Sequence, residues 1–189
     1  LINNISSIAY NVNEKEYYVY IKENDNYVKY LVLDNNYNSS NSTLLLRDRA
    51  LGSNKDLAMI GKGLKYEETS VDKYLSEEFA NYFDNDFINL VNDTEVRISR
   101  HTIYEENYTI KRKFFLLSAK EIISYDVMDD ANNKLLKYFE NNSILKNNDD
   151  NINVMWWTRT YSQVADNYCV IDFNGQESCG ISTEAKASI

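Results

Sequence analysis

The chain's two tryptophans are neighbours, Trp156 and Trp157, within Met155-Trp156-Trp157-Thr158-Arg159-Thr160. In a β-strand, successive side chains leave opposite faces. One ring is therefore expected in the core and the other exposed or under a loop, unless both serve to close the fold. Arg159 falls on the face of Trp157 by alternation. There its guanidinium can stack on the ring or pair with a buried carboxylate.

The segments before this pair read as its scaffold. Tyr17-Tyr18-Val19-Tyr20-Ile21 is aromatic and β-branched, Glu23-Asn24-Asp25-Asn26 is turn chemistry, and Tyr27 to Leu33 resumes the strand pattern. The two runs predict a hairpin. A polar loop of Asn and Ser follows, and Leu44-Leu45-Leu46 is a short buried strand, too brief and too apolar for a surface helix. Residues 47–69 are irregular, punctuated by Gly52, Gly61 and Gly63.

A helix is expected from Ser70, with Thr69 or Ser70 as cap. Val71, Tyr74, Leu75, Phe79, Tyr82 and Phe83 share one helical face. Asp84-Asn85-Asp86 ends it, and Phe87, Ile88, Leu90 and Val91 suggest a second short helix. Val96 to Thr102 alternates as a strand, His101 lies at its end, and Tyr104 to Asn107 is a loop. Phe114-Phe115-Leu116-Leu117 reads as a buried strand. It runs into Ser118-Ala119-Lys120-Glu121, a capping box with Ser at N-cap and Glu at N3. Lys134 to Phe139 looks helical.

Beyond the tryptophans the pattern is β again. Asn174-Gly175 joins Tyr168–Phe173 to Gln176–Ile181 and is a strong hairpin signal. Two registers are open. A two-residue Asn174-Gly175 turn opposes Val170 to Cys179 and turns Cys169 to the other face. A three-residue Phe173-Asn174-Gly175 loop, with Gly175 in the left-handed region, opposes Cys169 to Cys179 and permits a cross-strand disulfide. A pair of buried small apolar residues is the alternative.

Several function classes are disfavoured by composition. A net charge of −9 would repel nucleic-acid phosphates. The lone basic run, Lys111-Arg112-Lys113, reads as a solvated strand entry. No apolar run approaches the roughly 18 residues of a membrane span. Metal ligation is not expected, because four ligands are not spaced for it. Asp149, Asp150 and Asn151, like Asp129 and Asp130, lack the spacing of a calcium loop. No P-loop, Gly-x-Ser-x-Gly or zinc motif is present, and His101 is the single histidine. No cofactor and no catalytic residue is expected. The 16 tyrosines, with abundant asparagine and no proline, fit either an AT-rich genome or a surface rich in contact residues. The chain opens on Leu1 without a leader pattern and is expected to be a processed or trimmed form. With no Pro- or Gly-rich linker, residues 1–189 are expected to be a single α+β domain, with 1–16 as an N-terminal extension.

The order of these segments resembles a bacterial domain family of unknown function found in surface-associated and phage-encoded proteins. Its "Y/W-L-V-L" strand corresponds to Tyr30-Leu31-Val32-Leu33, and its "LLL" strand to Leu44-Leu45-Leu46. Its short helix corresponds to Ser70 through Phe79, its "FLLS-x-x-E" junction to Phe114 through Glu121, and its "WWLRS" strand to Trp156 through Thr160. The family's terminal "GVRPA" is replaced by Glu184-Ala185-Lys186-Ala187-Ser188-Ile189, in which Ala185, Ala187 and Ile189 still alternate as a strand would. The family is similar to the C-type lectin-like fold, shared with retroelement variable proteins and formylglycine-generating enzyme. The resemblance implies N- and C-terminal strands lying together, two main helices flanking a mixed, mostly antiparallel sheet, and a loop-rich C-terminal region whose side chains meet a ligand.

The expected function is therefore non-catalytic recognition of a carbohydrate or protein, at an extracellular, cell-surface or phage-associated location. A structural or assembly module is the alternative. The candidate ligand-binding residues are Trp157, Arg159, Tyr161, Gln163, Asp166, Asn167 and Tyr168. Tyrosines and amides suit contact with a sugar or protein surface.

Overall fold

A computed structural model describes residues 5–11, 16–51, 57–58, 63–124, 127, 131–180 and 186–187. The first sheet is an antiparallel meander of β1 (Ile5–Asn11), β2 (Glu16–Glu23), β3 (Asn26–Asp34) and β4 (Leu44–Arg47), in that order. The stretch 1–16, expected as an extension, thus supplies β1. The expected hairpin joins β2 to β3 through Asn24-Asp25, both at positive φ (44° and 69°). That geometry matches the twist of the two strands.

Both faces of this sheet are covered. Val19, Ile21 and Tyr30 join one buried cluster, while Leu31 and Leu33 join a second. This explains why Tyr30-Leu31-Val32-Leu33 is continuously apolar rather than alternating: period-two patterning is lost when neither face meets water. The two tryptophans obey the same geometry. Trp157 enters the first cluster and Trp156 the second, at 0% and 3% exposure. Of the two expectations for this pair, the structure contains the one in which both rings close the fold, because a core lies on each side of the strand.

After β5 (Leu57–Ala58), Thr69 caps α1 (Ser70–Glu77) by accepting from the Asp72 amide at 3.2 Å. The expected long helix is broken. A 3₁₀ turn over Phe79–Tyr82 follows, and Asp84 then caps α2 (Asn85–Leu90) through the Phe87 amide at 2.9 Å. The break lets Phe79, Phe83, Phe87 and Phe114 pack as one aromatic group, with centroids 5.0–5.3 Å apart. β6 (Thr94–Ile98) pairs with β7 (Tyr108–Arg112), a strand that the basic run had concealed. Arg112 forms an ion pair with buried Asp72 at 2.9 Å, so this run is not simply solvated.

Phe114–Leu117, expected as a buried strand, joins no strand ladder among the described residues. The Leu117 carbonyl accepts from the Arg159 amide, and the Leu116 carbonyl from the Arg159 side chain. Ser118 caps α3 (Ala119–Ile122) and the capping box is complete. The expected helix at Lys134–Phe139 is reduced to a 3₁₀ turn at Lys137–Glu140, since Leu136 donates its amide to the Glu121 carbonyl instead. The short pair β8 (Lys146–Asn147) and β9 (Asn153–Val154) leads to β10 (Trp156–Ser162), which pairs with β11 (Asn167–Ile171) and through it with β12 (Glu177–Ser178).

Val170 opposes Ser178 and Ile171 opposes Glu177, which is the three-residue-loop register. Gly175 has φ +76° and donates its amide to Asp172. Cys169 and Cys179 form the disulfide that this register permits. The last strand, β13 (Lys186–Ala187), pairs with β5; Ala185 and Ile189 lie outside the described residues. Among the described residues, β1 pairs with β2 and β13 with β5, and the two terminal strands do not pair with one another. Among the described residues the strand pairs are antiparallel, with one parallel bridge between Ala50 and Asn148. The fold is α+β.

Candidate functional site

Two hairpins bring their tips together around a small aromatic pillar. Tyr161 and Tyr168 are a cross-strand pair of β10 and β11, with ring centroids 5.2 Å apart. His101, in the loop that follows β6, lies flat on Tyr161 at 4.1 Å and 10°. Its Nε2 is 3.2 Å from the Tyr168 hydroxyl, which itself donates to the Leu64 carbonyl at 3.0 Å. A phenol has one proton to give and Tyr168 gives it to Leu64, so the imidazole donates from Nε2 in this arrangement. Burial lowers the His101 pKa below its ordinary value, against the pull of Glu105 and Glu67.

The rest of each tip is braced by polar contacts. Glu105 accepts from the amides of His101 and Thr102, both at 3.2 Å. Asn107 accepts from the Arg100 amide at 2.9 Å. Gln163 reaches the Arg100 carbonyl at 3.3 Å and so ties one tip to the other. The Tyr161 hydroxyl donates to Asp166, which adopts positive φ (52°) at the β10–β11 turn. Burial, then this acceptor, pushes the Tyr161 pKa up to about 12. Outside the braces stand Tyr104, Val164 and Ile103, at 92%, 86% and 67% exposure.

The seven sequence candidates divide on this geometry. Asp166 is exposed and Gln163 is half-buried. Tyr161, Asn167 and Tyr168 are buried, and their rings and amide lie within the frame of the tips. Trp157 is core. Arg159 is 1% exposed and pairs with Glu121 through two bonds of 2.7 and 2.9 Å. Its other donors reach the carbonyls of Leu116 and Arg97, with Tyr37 and Asn133 alongside. In this structure its donors are turned inward to protein acceptors. Of the two possibilities for Arg159, pairing with a buried carboxylate is the one the structure contains, and the carboxylate is the N3 residue of the capping box.

Ile103 and Tyr104 were not among the candidates. An aromatic and a β-branched residue inside a polar loop are a local signal, but their neighbours at residues 163–166 are some 60 positions away in sequence. Asp149 is held by Arg47 at 3.1 Å; Asp129 and Asp130 lie outside the described residues.

Residues 40–187 match the family described as Domain of unknown function (DUF6273), and the chain belongs to that family. No curated protein matches the chain, and no solved structure does. Among the described residues, no helix is long and apolar enough to cross a membrane.

Proposed function

We propose that this is a non-catalytic recognition domain of the C-type lectin-like kind, which binds a protein through the paired tips of the β6–β7 and β10–β11 hairpins. The observation that carries the reading is the contrast within those tips. Tyr104, Ile103 and Val164 are exposed, while the residues beneath them are locked by stacking and hydrogen bonds. Exposed apolar side chains on a pre-ordered frame cost little entropy to bind. Two exposed aliphatic side chains and one exposed tyrosine on the two tips favour a protein partner over a sugar, whose hydroxyls would be left unpaired against the aliphatic groups. The order of strands and capped helices that carries the family resemblance is consistent with the lectin-like assignment.

The Cys169–Cys179 disulfide supports a location outside the reducing cytosol, such as a bacterial or phage surface. Biotinylated wild-type chain and the triple variant Ile103→Ser, Tyr104→Ser, Val164→Ser are compared by cross-linking to intact bacterial cells and on a glycan array. Cell-surface protein capture should fall at least tenfold in the variant, as expected for loss of apolar anchors. Equal capture by both chains, or binding confined to the glycans, would overturn the reading. The alanine variants of Tyr161 and Tyr168 are poor probes, since both rings are structural.

A further inference from the structure

A cleft of about 730 Å³ opens between the first sheet and the α2 block. β4 is the edge strand of that sheet, and all four of its residues, Leu44 to Arg47, line the cleft. A strand presenting a face would offer alternate residues; one presenting its edge offers consecutive ones. The ladder fixes which backbone groups point outward. The Asp48 amide donates to the Lys29 carbonyl at 3.0 Å, so alternation directs Leu46 toward β3 and leaves Leu45 and Arg47 facing the free edge. Lys146 occupies one end of that edge by donating to the Arg47 carbonyl.

The walls beside the edge are apolar, with Phe87 and Val91 on one side and Phe115 and Trp156 on the other. The charge in the cleft is one-sided. This chain carries 29 acidic residues and a net charge of −9, yet among the described residues the lining contains Arg47, Lys113 and Lys146 and no Asp or Glu. Arg47 is paired with Glu23 and Asp149. Lys113, half-buried beside Phe114, donates one hydrogen bond to the Ile88 carbonyl at 2.7 Å. An ammonium has two further donors.

We propose that this cleft receives an extended, apolar peptide strand of a partner protein, which pairs with the β4 edge and places a carboxylate at Lys113. Backbone pairing satisfies the outward amide and carbonyl of Leu45, which an aliphatic ligand would leave unpaired. Alternate side chains of the peptide enter the two apolar walls. The site is separate from the hairpin tips, so the triple variant at those tips should bind the peptide normally, and either proposal can fail alone.

Fluorescence anisotropy with a labelled Thr-Val-Thr-Val-Asp peptide tests it, beside an Asn-ended, amide-capped peptide and one N-methylated at alternate residues. The acidic peptide should bind saturably, and the neutral one about tenfold more weakly, the worth of one charge-assisted hydrogen bond. N-methylation should abolish binding. Lys113→Gln should erase the difference between acidic and neutral peptides. Leu45→Pro should leave the chain folded by circular dichroism, since its amide faces outward, and should prevent binding. No saturable binding to the folded wild-type chain, undiminished binding of the N-methylated peptide, or an acidic preference that survives Lys113→Gln would each overturn the proposal. So would a concentration-dependent dimer that excludes the peptide, which would make a second copy the occupant.

Discussion

Single residues here do double duty, and Glu121 is the clearest case. Its side chain completes the capping box by accepting from the Ser118 amide at 2.8 Å. The same carboxylate takes both arms of the Arg159 guanidinium and the Tyr37 hydroxyl. At 1% and 2% exposure, neither charge is hydrated to any extent. Breaking such a pair leaves a lone buried charge, at a cost of about 3–5 kcal/mol. Arg159→Met should therefore lower the urea-unfolding free energy by about that amount, a large share of a typical domain's stability. Adding Glu121→Gln should recover part of the loss, because the stranded carboxylate is gone. An unaltered midpoint for Arg159→Met would show that this pair does not hold the fold. The capping box was legible in sequence from Ser118 and Glu121 alone, since it is a three-residue spacing. That its glutamate also meets Arg159 was not, because 38 residues separate them.

At the scale of elements, the β6–β7 and β10–β11 tips hold one another through His101. Burial sets the folded pKa of that imidazole below its unfolded value of about 6.5. Between the two values the unfolded chain binds more protons than the folded one, so stability falls as pH drops through that window. Hydrogen exchange at residues 99–107 and 162–167 should quicken at pH 5 relative to pH 7 when corrected for intrinsic rates. His101→Phe, which keeps a flat ring but cannot titrate, should remove the pH effect. An identical pH response in that variant would show that His101 is not the sensitive group. Elements defined by short-range signals were the ones readable in advance: the Asn24-Asp25 turn, the Thr69 cap and the Asn174-Gly175 loop. The long helix through Phe83 misled, because an aromatic stripe can continue across a break when the next cap, Asp84, restarts the same face.

The molecule as a whole depends on residues outside the family match, which begins at residue 40. β2 and β3 lie before it, yet they form the layer between the two buried clusters. A chain beginning at residue 40 leaves β4 without its partner and strips cover from both tryptophans. Such a truncation should lose the near-ultraviolet dichroism of packed aromatics and unfold without a cooperative transition. A cooperative melt near the wild-type midpoint would show that residues 40–187 suffice.

The sequence by itself determined the α+β class, the turns, the caps and the two faces of the tryptophan strand, because each depends on spacings of a few residues. It also narrowed the hairpin to two registers, of which one could hold the disulfide. Only the tertiary structure decided that both faces of Trp156-Trp157 would be dry, that Arg159 and Tyr168 would turn inward, and that the terminal strands would take different partners. Those outcomes hang on which distant surfaces meet, and burial is a property of the meeting rather than of either segment.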